Sequence, residues 1–103
     1  MKTVLSIALF LTLLACGQKV AATKGEKLAE AARSQIGVTN TYDPAYVSLK
    51  YPGGDVPKER GVCTDVVVRA LRKEGFDLQK LVHEDMKKNF SKYPKRWSLK
   101  RPD

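Results

Sequence analysis

Between Val38 and Gly61 the chain carries Asp43-Pro44, Pro52-Gly53-Gly54-Asp55 and Val56-Pro57. Each proline biases its predecessor away from helix, and the paired glycines mark turns, so the stretch reads as irregular. It divides the sequence into one helical part before it and another after it. A connection of more than about twenty residues without regular structure is unusual in a compact domain and often functional. Tyr42, Tyr46 and Tyr51 are spread along it. They either cover a small core or form a substrate-lining lid.

The flanking segments have clear helical signals. Thr23-Lys24-Gly25-Glu26 fits a capping box, with Thr23 as N-cap and Glu26 reaching back to its amide. Leu28, Ala32, Gln35 and Ile36 follow at helical spacing and Gly37 is a natural stop, which predicts a first helix from about Lys24 to Ile36. Its apolar face is narrow and alanine-rich, suited to close packing against a larger element. A second helix starts near Cys63 or Thr64 and ends before Gly75, with Val67, Ala70, Leu71 and Glu74 on one face. The valines 66 to 68 also suit a buried strand, but Ala-Leu-Arg-Lys-Glu and Gly75 favour helix. Asp77 caps a third helix from Leu78 to about Phe90, whose apolar residues Leu78, Leu81, Val82, Met86 and Phe90 fall near one face.

With 103 residues the chain holds one small domain with a thin core. A hydrophobic fraction of 43% and a charged fraction of 29% are those of a folded protein rather than a disordered one. Residues 1–15, one lysine followed by an apolar run, have the layout of a signal peptide. Leu13-Leu14-Ala15-Cys16 resembles a lipobox, which implies lipid on Cys16 and anchoring to a membrane. The competing cut follows Val20-Ala21-Ala22, giving simple secretion. Residues 16–22 are then a linker and 23–103 the domain. The expected location is the periplasm, or a membrane through the lipid anchor. The net charge of +8 is concentrated late in the chain, where Lys87, Lys88, Lys92, Lys95, Arg96, Lys100 and Arg101 face only Asp103. Such a run is either a solvated face or a surface for anionic lipid or wall polymer. Export and the lack of any nucleic-acid motif set nucleic acid aside.

Cys16 is either acylated or removed with the leader, so Cys63 is left without an intramolecular partner. An unpaired cysteine in an oxidising compartment is a buried inert thiol, a link between two chains, or a reactive group. Cys63 opens a helix, where free amides and the positive end of the macrodipole stabilise a thiolate. Arg60 adds a positive charge nearby and Gly61 lets the backbone approach. A thiol hydrolase also needs a base, normally histidine. His83 is the single histidine, and on the third helix it is offset from the apolar face, which suits a solvated or capping role. No standard metal site, Cys-x-x-Cys pair or phosphate-binding glycine loop is present, so no metal or cofactor is expected.

Tyr42-Asp43-Pro44, Tyr51-Pro52-Gly53-Gly54-Asp55-Val56-Pro57, Gly61-Val62-Cys63-Thr64-Asp65 and His83-Glu84-Asp85 together resemble the YijF-like exported bacterial proteins, labelled domain of unknown function 1287. The resemblance covers about residues 31 to 103. That family is similar to the NlpC/p60 superfamily of papain-like cysteine hydrolases, many of which cut peptide bonds in bacterial cell wall. The resemblance implies an α+β, papain-like fold of which this chain holds mostly the helical half: three helices and a long loop, with little or no sheet. It implies Cys63 as nucleophile, with neighbouring amides contributing to an oxyanion hole. Tyr42, Tyr46, Asp55, Asp65 and His83 would line the site for a peptidoglycan peptide. Family members continue past the Pro-Asp pair into a segment with Asp-His and then strands. The expectation is therefore a truncated member, inactive by itself and exposing apolar helix faces. The rival reading is a non-enzymatic envelope module that binds anionic wall polymer through its basic surface. Neither reading fixes an oligomeric state.

Overall fold

The computed structural model describes residues 20–102; the leader reading and the proposed lipidation at Cys16 lie outside the described residues. The chain is mixed α+β and mostly helical. In order it forms helix α1 (Lys24–Arg33), strand β1 (Thr41–Tyr42), strand β2 (Arg60–Gly61), helix α2 (Cys63–Lys73) and helix α3 (Leu78–Asn89). Two 3₁₀ turns follow, Phe90–Lys92 and Arg96–Ser98. The strands pair in parallel, Thr41 with Arg60 and Tyr42 with Gly61, and bring the two ends of the long connection together. Among the described residues no helix is long and apolar enough to cross a membrane.

The capping box at the start of α1 forms as the sequence predicts. The Glu26 amide donates to Thr23 Oγ1 at 3.2 Å and the Thr23 amide donates to Glu26 Oε2 at 2.7 Å. These bonds satisfy amides that the first turn of any helix leaves open, and they hold the Glu26 carboxyl below its usual range. The helix ends at Arg33, three residues before the predicted boundary. The turn that follows bonds Val38 and Thr39 back to the Gln35 carbonyl across Gly37, at φ +77. Asp77 caps α3 through the Lys80 amide. Valines 66–68 are helical, not a strand.

α1 packs on α2 through small side chains. Among the described residues Ala31 and Ala70 are the buried apolar side chains, at 6% and 2% exposure. Without bulk between them the two backbones come close, and Gln35 Nε2 donates to the Val66 carbonyl at 2.9 Å. Gln35 Oε1 is buried without a partner among the described residues. Lys73 Nζ donates to Ser34 Oγ and ties the ends of the two helices. The contact face of α2 therefore runs through Val66 and Ala70. Val67, which the sequence placed on the packed face, is 48% exposed, because α1 docks one position further round. Among the described residues no large side chain is fully buried, and Ile36, Phe76 and Leu81 are more than half exposed.

Close packing at Ala70 gives the first prediction. Ala70→Leu forces the helices apart and should cost about 1–3 kcal/mol, read as a lower urea midpoint of the helical signal. Val67→Leu, on the exposed side, should shift stability by less than about 0.5 kcal/mol. Equal effects of the two changes would show that α1 and α2 do not meet at Ala70.

Candidate functional site

Cys63 is the first residue of α2, and the chain leading to it is shaped by Asp65. Val62 is extended at φ −118 and ψ 177, and its amide donates to Asp65 Oδ2 at 2.7 Å. Gly61 precedes it at φ +145, and a Cβ there would lie 2.7 Å from the same carboxylate oxygen. Glycine is therefore required for the chain to pass so close to its own cap. The Cys63 thiol is free and exposed. Asp65 occupies the Val62 amide, and the amides of Cys63 and Thr64 meet no acceptor among the described residues. Arg60, expected to lend its charge to the thiol, pairs instead with Asp43 Oδ2 at 3.4 Å.

Beside the start of α2 lies a groove of about 500 Å³. Tyr46 to Leu49, Tyr51, Gly54 and Asp55 form one wall, Thr64, Asp65 and Val68 of α2 another, and Leu78, Gln79, Val82, His83 and Met86 of α3 the third. The His83 ring is half-buried against Tyr51, with ring centroids 4.7 Å apart and planes tilted by 53°. The sequence reading placed His83 off the inward face of α3 and Leu81 on it. The structure rotates that face toward His83, and Leu81 is left 51% exposed. The cause is the anchoring of the first turn of α3 to the 50–54 turn, described next.

That turn is held by polar contacts from α2 and α3. Arg72 Nη1 donates to the Gly54 carbonyl at 2.7 Å, and its Nε and Nη2 donate to Asp77 Oδ1 at 3.3 and 3.1 Å. The Gly54 amide donates to Gln79 Oε1 at 3.1 Å, and Gln79 Nε2 donates to the Lys50 carbonyl at 3.1 Å. A Cβ on Gly54 would sit 2.1 Å from the Lys50 oxygen, so only glycine fits the turn. Asp77 also accepts the Gly53 amide at 3.1 Å. Burial pushes the Asp77 carboxyl up, but Arg72 and the Lys80 and Gly53 amides outweigh it and hold it below its usual range.

Arg69 does the same for the second half of the connection. Its Nε and Nη2 donate to Asp55 Oδ2 and Oδ1 at 2.8 and 2.9 Å, a two-point pair. Nη2 also reaches the carbonyls of Val56 at 3.1 Å and Arg60 at 3.2 Å, and Nη1 donates to Thr39 Oγ1 at 3.1 Å. The Arg69 side chain is only 10% exposed, and Asp55 raises its hold on the proton against the opposing effect of burial.

Of the residues expected to line a substrate site, Tyr46, Asp55, Asp65 and His83 share this groove. Both oxygens of Asp55 are committed to Arg69, and Asp65 serves as a helix cap. Tyr42 does not join them: it sits in β1, 76% exposed. Cys63 is not among the lining residues, although Thr64 and Asp65, directly after it, are. Sequence reasoning missed Arg69, Arg72 and Gln79. The available signal was two arginines three apart on α2, directly after its valine run and opposite a connection whose prolines leave carbonyls unpaired. Among the described residues no group of three or more His, Cys, Asp or Glu side chains is placed to hold a metal ion.

The family model described as Domain of unknown function (DUF1287) matches residues 29–103. The Uncharacterized protein YijF of Escherichia coli (strain K12) is 71% identical over 76 residues, which are 74% of this chain and 37% of that protein. The chain thus spans little more than a third of the curated relative it matches. No solved structure matches.

The polar clamps yield two predictions. Lysine at position 69 keeps a charge but loses the fork that spans Asp55 and the carbonyls. Arg69→Lys should cost roughly 2–3 kcal/mol, with loss of hydrogen-exchange protection at the Thr41 and Arg60 amides while α1 keeps its own. Unchanged protection there would remove Arg69 from its organising role. The depressed Asp77 carboxyl contributes stability that is complete above the ordinary aspartate range, near 3.9, and is lost as pH falls through its lower folded value. The Gly53 amide resonance should titrate in that acid window, and Asp77→Asn should abolish the titration.

Proposed function

The chain belongs to the DUF1287 family, and on that premise we propose that the whole protein is an exported cysteine hydrolase of the cell envelope, with a papain-like fold. It cleaves peptide or amide bonds in peptidoglycan with Cys63 as nucleophile. The observation that carries the proposal is the exposed, unpaired Cys63 thiol at the first residue of α2, next to open amides and a groove. The resemblance to NlpC/p60 hydrolases and the signal-like residues 1–15 support it.

In this reading the Cys63 thiolate attacks the substrate carbonyl carbon, forming a C–S bond. Negative charge moves to the carbonyl oxygen, where the Cys63 and Thr64 amides donate hydrogen bonds without reorganising. Collapse breaks the C–N bond, and the amine leaves with the proton taken from the thiol. Water then hydrolyses the thioester and returns the thiol. Tyr46, Tyr51 and His83 form the wall that receives the substrate side chain nearest the scissile bond. His83 is packed on Tyr51, so a substrate-binding role suits it better than proton transfer. The base comes from the part of the whole protein outside this stretch, and the 103 residues by themselves do not turn over substrate.

Two measurements test this. Cys63 should react with iodoacetamide at neutral pH at least about threefold faster than a free thiol such as glutathione; an equal or slower rate counts against activation. The whole protein should release peptide from muropeptides and lose that activity on Cys63→Ala. Activity that survives the substitution would overturn the assignment.

A further inference from the structure

The chain after α3 carries charge that the proposed hydrolase site does not use. From Met86 to Pro102 there is no acidic residue. Lys87, Lys88, Lys92, Arg96, Lys100 and Arg101 are all exposed, and none forms an ion pair among the described residues. This segment is not a trailing strand of charge. Tyr93 Oη donates to Asp85 Oδ2, folding the peptide back onto the last turns of α3. Lys95 Nζ donates to the Phe90 carbonyl at 3.2 Å and sits 3.6 Å from the centre of the Phe90 ring. Among the described residues the nearest carboxylates in the chain are engaged, Glu84 with Lys80 at 3.9 Å and Asp85 with Tyr93 and Asn89. The cations thus lie together in the last turns of α3 and in the segment tied back to it.

We propose that this end, from Lys87 to Arg101, is a docking surface for an anionic phospholipid bilayer. Lysines outnumber arginines here, and lysine presents a point charge suited to a diffuse field of headgroups rather than to two-point recognition of one phosphate. Single-stranded nucleic acid needs exposed aromatic faces for stacking. Among the described aromatic side chains of this segment, Tyr93 is half-buried and bound to Asp85, and Lys95 covers Phe90. A linear polyanion needs a continuous basic groove, whereas the cleft beside Lys92 is also lined by Asp85. A planar array of negative charge meets neither obstacle. The surface would hold the hydrolase site close to a membrane, but the inference does not depend on Cys63 being a nucleophile.

The test compares the full chain with its Lys87→Gln, Lys88→Gln, Lys92→Gln, Lys100→Gln variant, on vesicles of phosphatidylcholine alone and with about 30% phosphatidylglycerol. Both proteins carry the same apolar residues 4–15, so any insertion of that stretch appears equally in both and on both vesicles. Wild type should bind the anionic vesicles at least about tenfold more strongly than the neutral ones, the variant should lose most of that preference, and about 500 mM salt should remove it. None of these four side chains makes an ion pair among the described residues, so matched circular dichroism is expected of the two proteins. Equal binding to both vesicles, or a variant that keeps the preference, overturns the proposal. Displacement from anionic vesicles by an oligonucleotide or polyphosphate at equal charge overturns it in favour of a linear polyanion.

Discussion

The two-point pair between Arg69 and Asp55 fixes the connection that separates the helices, and much of the remaining architecture depends on it. A segment with prolines at 44, 52 and 57 cannot satisfy its carbonyls in a helix or a sheet. α2 supplies the donors instead. Arg69 collects the carbonyls of Val56 and Arg60 together with Thr39, and Arg72 takes the carbonyl of Gly54. With the connection drawn onto α2, its two ends meet in the short pairing of β1 and β2, and β2 delivers the chain to Cys63. The chain therefore uses buried charge where a larger domain would use apolar bulk. This accounts for a core in which, among the described residues, two apolar side chains are buried, both alanine.

The same clamps shape the groove. Because Asp77 and Gln79 hold the 50–54 turn, the first turn of α3 is locked in rotation, and His83 is carried to the inner face against Tyr51. Asp55 and Asp65, which line the groove, are neutralised in function by Arg69 and the Val62 amide. The open polar groups are then the amides at the start of α2, beside a largely apolar wall. That division, open amides and an exposed thiol at a helix start with a largely apolar wall opposite, is the basis on which the acyl-transfer reading is proposed. The reading also needs a proton acceptor, which it assigns to the part of the whole protein outside this stretch.

Local rules carried much of the fold. The Thr23–Glu26 box, the Asp77 cap and the start of α2 at Cys63 each depend on neighbours within four residues, so they were legible. The end of α1 was placed three residues late because Gly37 closes a turn after the helix rather than the helix itself. The inward faces of α2 and α3 were each read about one position off. Periodicity identifies a stripe, but the docking partner chooses which edge of it is covered. Arg69, Arg72 and Gln79 left little local signal beyond the spacing of the two arginines, since their partners lie five to thirty residues away in the chain.

Sequence alone determined the helical segments, the break between them, the unpaired thiol at a helix start and the clustered positive charge near the end. Each follows from propensity, capping or composition, which act over a few residues. Tertiary structure decided that Asp55 belongs to Arg69, that Tyr42 lies away from the groove, and that His83 faces Tyr51. These outcomes rest on where a guanidinium finds enough carbonyls to justify leaving water, a question settled only once distant parts of the chain are brought together.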